Sequence, residues 1–243
     1  MRYTQIEPRL HFWSGYYCLV NREGTREIPP SVAISDVIKI ISDLGNKIPD
    51  KSWMLYLLEL FNKQHIPVEL NLICSFNDDG KFHAIFAGAN RYEFKIKPTI
   101  GHSYLRQITM EPSKHRIGYR LMDEISGQTD TFFYDVDANS FDFSISKHFT
   151  GLEWHNRVEN APYPIRYEVE ISNPAYGIRD DSSDLQSVAY FPYNQLLPDD
   201  GGLAREYPVS FHDFETRNGF ITYKIGSGKH HMGIINKFFK PYL

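Results

Sequence analysis

The 243-residue chain is 42% hydrophobic and 23% charged with a formal net charge of −4, enough apolar content for a sizeable core and no electrostatic footprint for nucleic acid. No run approaches membrane-spanning length, and "MRYTQIEPRLHFWSG" has no charged segment leading into an apolar stretch, so neither a membrane span nor a secretory leader is expected. Aromatic residues reach 15%, with 16 Tyr and 17 Phe, a load that suits half-buried pleated surfaces and favours β structure.

In chain order, Leu10–Val20 ("LHFWSGYYCLV") reads as a first strand with Gly15 in its middle, where a bulge or a close approach of another backbone is expected. From Ser31 the period changes. Ile34, Val37, Ile38, Ile41 and Leu44 recur at three- and four-residue steps and Gly45 follows, which predicts an amphipathic helix. Trp53, Leu57, Leu60 and Phe61 predict a second helix over 50–64, ended by Pro67. Together they form an expected two-helix insertion at residues 31–66.

From residue 68 the period is two. "VELNLICSF" and "KFHAIFA" flank the turn residues Asn77-Asp78-Asp79-Gly80 and predict a hairpin. "RYEFKIK", "SYLRQITM", "HRIGYRLM", "TDTFFYDV", "FDFSIS" and "IRYEVEIS" continue the series, the last with Ile165, Tyr167, Val169 and Ile171 inward. Residues 173–186 read as loop, and "SVAYFPY", "PVSFHDF", "GFITYKI" and "GIINKFF" close the chain. Short strands with turns every 8–12 residues predict antiparallel sheets in a sandwich or barrel, as one domain over 1–243.

Cys18 and Cys74 have neither metal-ligand nor disulfide-framework spacing and read as buried thiols. The ten histidines show no His-Glu-x-x-His pattern, "RDDSSD" at 179–184 lacks the glycine and closing glutamate of a calcium loop, and "GSGKHHMG" at 226–233 lacks phosphate-loop spacing. No metal and no cofactor is expected. Ser14 does not sit in a Gly-x-Ser-x-Gly elbow.

The cluster that carries chemistry is Glu153-Trp154-His155. In a strand Glu153 and His155 share a face about 7 Å apart, with Trp154 on the other. A carboxylate beside aromatic surface has its pKa raised, as general acid work requires.

Three segments in order carry a family resemblance: "FWSGYYCLV" (Phe12–Val20), "YRLMDEISGQTDTFFYDV" and "GLEWHNRVENAPYP". They resemble the opening Trp-Ser/Ala-Gly strand, the strand with its Thr-Gly-Gln turn, and the Ala-Glu-Trp segment of the glutamic peptidases of eqolisin type. The resemblance implies a concanavalin-like jelly roll: a mainly β, antiparallel sandwich with a substrate groove. Matched position by position, Glu153 takes the place of the glutamate before the tryptophan, and Trp13 that of the opening tryptophan. The family dyad also needs a glutamine, whose amide stabilises the oxyanion. The matching segment "AIFAGAN" places Phe86 there, and a phenyl ring cannot donate to an oxyanion. Gln107 and Gln128 are the candidate replacements.

The expected function is binding or hydrolysis of an extended polymer, peptide or glycan. Glu153 and His155 would be the catalytic pair; Trp13, Phe86, Arg157, Glu159, Tyr163 and Tyr167 would line the groove. Two alternatives stand beside it: a non-catalytic module with a degenerate groove, and a lipocalin-like barrel around an apolar small molecule. The expected location is cytoplasmic, or secreted after loss of a leader.

Overall fold

The computed structural model describes residues 10–20, 30–41, 52–76, 81–156, 169–179, 188–192, 197–202, 210–217 and 220–227. At 10–14, 16, 52, 76, 90, 152, 154–156 and the described positions from 191 onward it describes the backbone alone.

Fifteen strands are described, in chain order: β1 (Leu10–Leu19), β2 (Ala33–Ile40), β3 (Ser52–Asn62), β4 (Pro67–Glu69), β5 (Asn71–Phe76), β6 (Phe82–Ala87), β7 (Ser103–Glu111), β8 (Arg116–Asp123), β9 (Thr129–Asp135), β10 (Ile145–Asn156), β11 (Val169–Arg179), β12 (Val188–Pro192), β13 (Leu197–Gly202), β14 (Ser210–Arg217) and β15 (Phe220–Ser227). They pair antiparallel into two sheets. The first runs β13-β1-β10-β3-β5-β6, with β4 also on β3. The second runs β14-β15-β11-β2-β7-β8-β9, with β12 also on β11. Inward residues of both sheets form one core, including Tyr56, Leu58, Leu72 and Phe86 from the first and Ile38, Tyr104, Ile108 and Tyr119 from the second. The antiparallel sandwich expected from the sequence is the observed architecture.

The two-helix insertion is not. Residues 33–40 form β2 and 52–62 form β3, and no α-helix occurs among the described residues. The cause is burial on both faces. In β3 Met54, Tyr56, Leu58 and Leu60 face the core, while Leu57 and Glu59 on the opposite face are also buried. A strand covered on both sides has an unbroken apolar run, in which three- and four-residue steps occur as readily as steps of two. In β2 only Lys39 is exposed; its Ile34, Val37, Ile38 and Ile40 are β-branched, which favours the extended form.

Other expectations fare variously. The β5–β6 hairpin is present, with Phe76 opposite Phe82. "RYEFKIK" is not a strand; it makes a single bridge, Ala87 to Glu93, after a 3-10 turn at Ala89–Arg91. Residues 173–179, expected as loop, extend β11. Residues 77–80 and 165–168 lie outside the described residues.

Gly15 does mark a close approach. A Cβ there would stand 2.7 Å from Cζ of Phe149 and 2.8 Å from Cα of Gly151. Cys18 and Cys74 are both buried and neither forms a disulfide; burial raises the pKa of the Cys74 thiol.

A polar core joins the sheets. Arg106, at an inward position of β7, is fully buried beside Asp36 of β2. Its Nε donates to Asp36 Oδ1 at 2.8 Å and its Nη2 to Asp36 Oδ2 at 2.6 Å. The same guanidinium reaches the first sheet, donating to the carbonyls of Tyr56 (2.6 Å), Leu70 (3.2 Å) and Leu57 (3.3 Å). Thr150 Oγ1 of β10 donates to Asp36 Oδ2 at 3.0 Å. Leu70 is the residue between β4 and β5, where the edge pairing of β3 passes from one short strand to the next, so Arg106 satisfies carbonyls at that break.

Candidate functional site: a carboxyl cluster on the outer face of the first sheet

Alternation along β10 decides which side chains leave the core. His148 and Thr150 point between the sheets: both are buried, and His148 Nε2 lies 3.2 Å from Ser31 Oγ. Lys147, Phe149, Gly151 and Glu153 therefore share the outer face. On β3 the outer set is Trp53, Leu55, Leu57, Glu59 and Phe61. The register pairs Glu153 with Leu55, Gly151 with Leu57, Phe149 with Glu59 and Lys147 with Phe61. On the far side of β10, β1 pairs Trp13 with Glu153 and His11 with His155. On the other flank Glu59 pairs with Glu69 of β4, and Leu55 with Ile73 of β5.

Three carboxyl groups thus stand on one face: Glu153, Glu59 and Glu69. Glu59 and Glu69 are direct cross-strand partners joined by a side-chain hydrogen bond. Burial is the first cause that lifts the Glu59 carboxyl, helped by the charges of Glu69 and Glu153; its pKa is pushed up to about 9, with Lys147 opposing. Two carboxylates in contact cannot both ionise cheaply, so Glu59 keeps its proton and donates a hydrogen bond to a Glu69 oxygen. Asn71 holds Glu69 from behind, its Nδ2 donating to Oε2 at 2.6 Å. Asn71 is only 3% exposed and its Oδ1 has no hydrogen-bond partner.

Around these groups the face is aromatic and aliphatic. Tyr17, Trp53, Leu55, Phe61, Ile73 and Ile85 are half-buried, as are Glu69 and Glu153. Lys147 Nζ lies 4.9 Å from the ring centre of Tyr17, 5.4 Å from that of Phe61 and 5.5 Å from that of Phe149. The cluster can hold and pass a proton, and it can accept hydrogen bonds from a bound molecule. Among the described residues no group of three or more His, Cys, Asp or Glu is placed to hold a metal ion.

The sequence-derived residues separate on this frame. Glu153 is half-buried on the outer face, and the backbones of Trp13 and His155 lie at paired or neighbouring positions of the same two strands. Arg157, Glu159, Tyr163 and Tyr167 lie outside the described residues. Phe86 does not line this face. It is fully buried, with its ring centre 4.8 Å from that of Tyr104 in the core; the parity of β6 sends Ile85 outward instead. Gln107 is in the second sheet, where Arg120 Nη1 donates to it at 3.4 Å, and Gln128 is exposed beside the β8–β9 turn, so neither replaces the missing amide. Glu59, Glu69 and Asn71 were not singled out in the sequence. Glu59 was concealed by the helical reading of 50–64; Glu69 and Asn71 had an available signal, the polar phase of "VELNL".

No family model matches the chain, and no curated protein sequence does. Among solved structures it is similar to scytalido-glutamic peptidase with a peptide-based transition state analogue, at 11% identity and a TM-score of 0.47, covering 87% of this chain and 96% of that one. It is similar to SCP-B, a member of the eqolisin family of peptidases in complex with the tripeptide Ala-Ile-His, at 11% identity and a TM-score of 0.48 over the same shares. It is also similar to basic winged bean lectin, at 11% identity and a TM-score of 0.31, covering 57% of this chain and 75% of that one. The weak resemblance to eqolisin-type peptidases is thus found among solved structures too, at 11% identity.

Proposed function

We propose that the outer face of the first sheet binds an extended polymer, peptide or glycan, and hydrolyses it with Glu153 as general acid or base. The observation that carries this reading is the cluster itself: Glu153 half-buried among apolar side chains, electrostatically linked to a neighbouring carboxyl that keeps its proton. Such a site sets a second carboxyl, the group that would activate water, on the same face as one that keeps its proton. The half-buried Trp53, Leu55, Ile73 and Ile85 give a chain laid across the strands apolar surface to cover.

The glutamine of the eqolisin-type dyad has no counterpart at Phe86, so oxyanion stabilisation has to come from elsewhere on this face. That favours a second reading, in which the face binds the polymer without cleaving it. Incubation with protein and glycan panels from pH 2 to 8 separates the two. Hydrolysis that falls by about 10²-fold or more in Glu153→Gln, with an unchanged thermal melt, supports the first. Absence of cleavage across both panels rejects hydrolysis. Stoichiometric uptake of an apolar dye would instead favour a binder of apolar small molecules.

A further inference from the structure

The outer face of the second sheet holds a trough in which the carboxyl cluster has no part. Register sets Tyr190, Gly177, Ala33, Thr109 and Gly118 side by side across β12, β11, β2, β7 and β8. Gly177, Ala33 and Gly118 carry at most a methyl group, so the floor is low. A Cβ on Gly177 would stand 2.8 Å from the Ala33 Cβ and 3.2 Å from Cε1 of Tyr190, so the phenol crosses β11 where glycine leaves room for it. Its hydroxyl is hydrogen-bonded to Thr109 and electrostatically linked to Arg120. The adjoining row is Ala175, Ser35, Gln107 and Arg120.

Two groups of that row lack the partners their chemistry calls for. Ser35 is only 5% exposed at an outward position of β2, and its hydroxyl makes no hydrogen bond with the described residues. Buried hydroxyls as a rule have a partner, so this one points to a ligand. Arg120 is exposed and leans over β7, where its Nη1 donates to Gln107 Oε1 at 3.4 Å. It has no acidic partner among the described residues, and its neighbours in register, Gln107 and Thr131, are uncharged. Arg116 on the same strand is, by contrast, held by Glu111 at 2.9 Å.

We propose that this trough is a subsite for an acidic saccharide, whose carboxylate pairs with Arg120 and whose ring hydroxyls bond to Ser35 and Gln107. Charge selects the carboxylate. One guanidinium matches one negative charge and donates to both of its oxygens from a planar fork, whereas a phosphate monoester would bring nearly two charges. The rest of the trough selects the sugar. A serine hydroxyl and a glutamine amide each donate and accept, as sugar hydroxyls do, and a simple carboxylic acid would leave them unmet. The half-buried Tyr190 ring gives the C–H groups of a pyranose an apolar flank. The subsite lies on the other sheet from Glu153 and is tested apart from any cleavage there.

Methyl glycosides in acid and neutral pairs, glucuronide with glucoside and galacturonide with galactoside, are titrated into the full chain and followed by NMR chemical shifts. At least one acid is expected to bind about tenfold more tightly than its neutral twin, the difference expected of a charge-assisted pair. Arg120→Gln should erase that preference and leave binding of the neutral twin in place. Ser35→Ala should weaken acid and neutral twin alike, by about three- to tenfold. Thermal melts check that both variants fold. Acetate and inorganic phosphate, titrated alone, probe for a bare anion site, and binding of either as tight as that of the acid glycosides overturns the proposal. Equal binding of acid and neutral twins, a preference that survives Arg120→Gln, or no binding of any glycoside overturns it as well, whatever the outcome for hydrolysis at Glu153.

Discussion

Glu59 has a consequence that can be measured without any ligand. Its folded pKa, pushed up to about 9, lies above the ordinary glutamate value of 4.5, so between those limits the folded state holds a proton that the unfolded chain has lost. Stability from this group is fully present below about pH 4.5 and is lost as pH rises toward 9, with a slope of up to about 1.4 kcal/mol per pH unit. Glu59→Gln keeps the shape and cannot ionise. Its urea midpoint, relative to wild type, should climb with pH across that window; a constant difference would show that Glu59 titrates normally. Gly15 offers a steric test. The methyl of Gly15→Ala would be driven against the Phe149 ring and the Gly151 backbone, at a cost of roughly 1–3 kcal/mol for overpacking. Chemical denaturation of that single variant reads it. The glycine was legible as a close approach from its place inside an apolar strand; Phe86 was misread because a match to a motif fixes a position in a sequence, whereas the parity of a strand fixes where the ring goes.

The informative elements are β3 and β7. β3 carries Glu59 and pairs with β10, β4 and β5, yet its sequence "SWMLYLLELFN" shows no clean alternation because both of its faces are covered. Periodicity reports the contrast between a wet and a dry face, and where both are dry the signal disappears. β7 gives the opposite lesson. Its burial alternates without a break, and Arg106 shares the inward phase with Tyr104, Ile108 and Met110. A charge on an apolar phase was readable, but its partner on β2 was hidden within the supposed helix. Breaking the pair with Arg106→Met would strand Asp36 and three carbonyls in the core, at a cost of about 3–5 kcal/mol. The double change Arg106→Met with Asp36→Leu should recover part of that loss. Equilibrium unfolding of the two variants measures it, and equal losses would show that the charge on Asp36 is not the cause.

Across the whole molecule two buried groups set opposing limits on pH. His148 is sealed between the sheets, and burial lowers its pKa to about 3 from the ordinary imidazole value of 6.5. It is a group with a depressed folded pKa, so its contribution is intact above about 6.5 and declines as pH falls toward 3. Glu59 acts on the alkaline side. Thermal melts should therefore be highest between about pH 4.5 and 6.5, with His148→Gln flattening the acid limb and Glu59→Gln the alkaline limb. The sandwich itself was visible in the sequence, since most strands after residue 68 have one wet face and turns between them.

Arg106 also constrains motion. A guanidinium rooted in one layer and hooked onto three main-chain oxygens of the other works as a dowel between two laminations. Sliding β3 by a single residue would pull the Tyr56 and Leu57 oxygens off the peg together, leaving only that of Leu70, and turn Glu59 inward. Thermal fluctuation on the outside can therefore bend the first sheet or splay its edge, but it cannot shuffle the carboxyl cluster along the strand without first drawing the dowel.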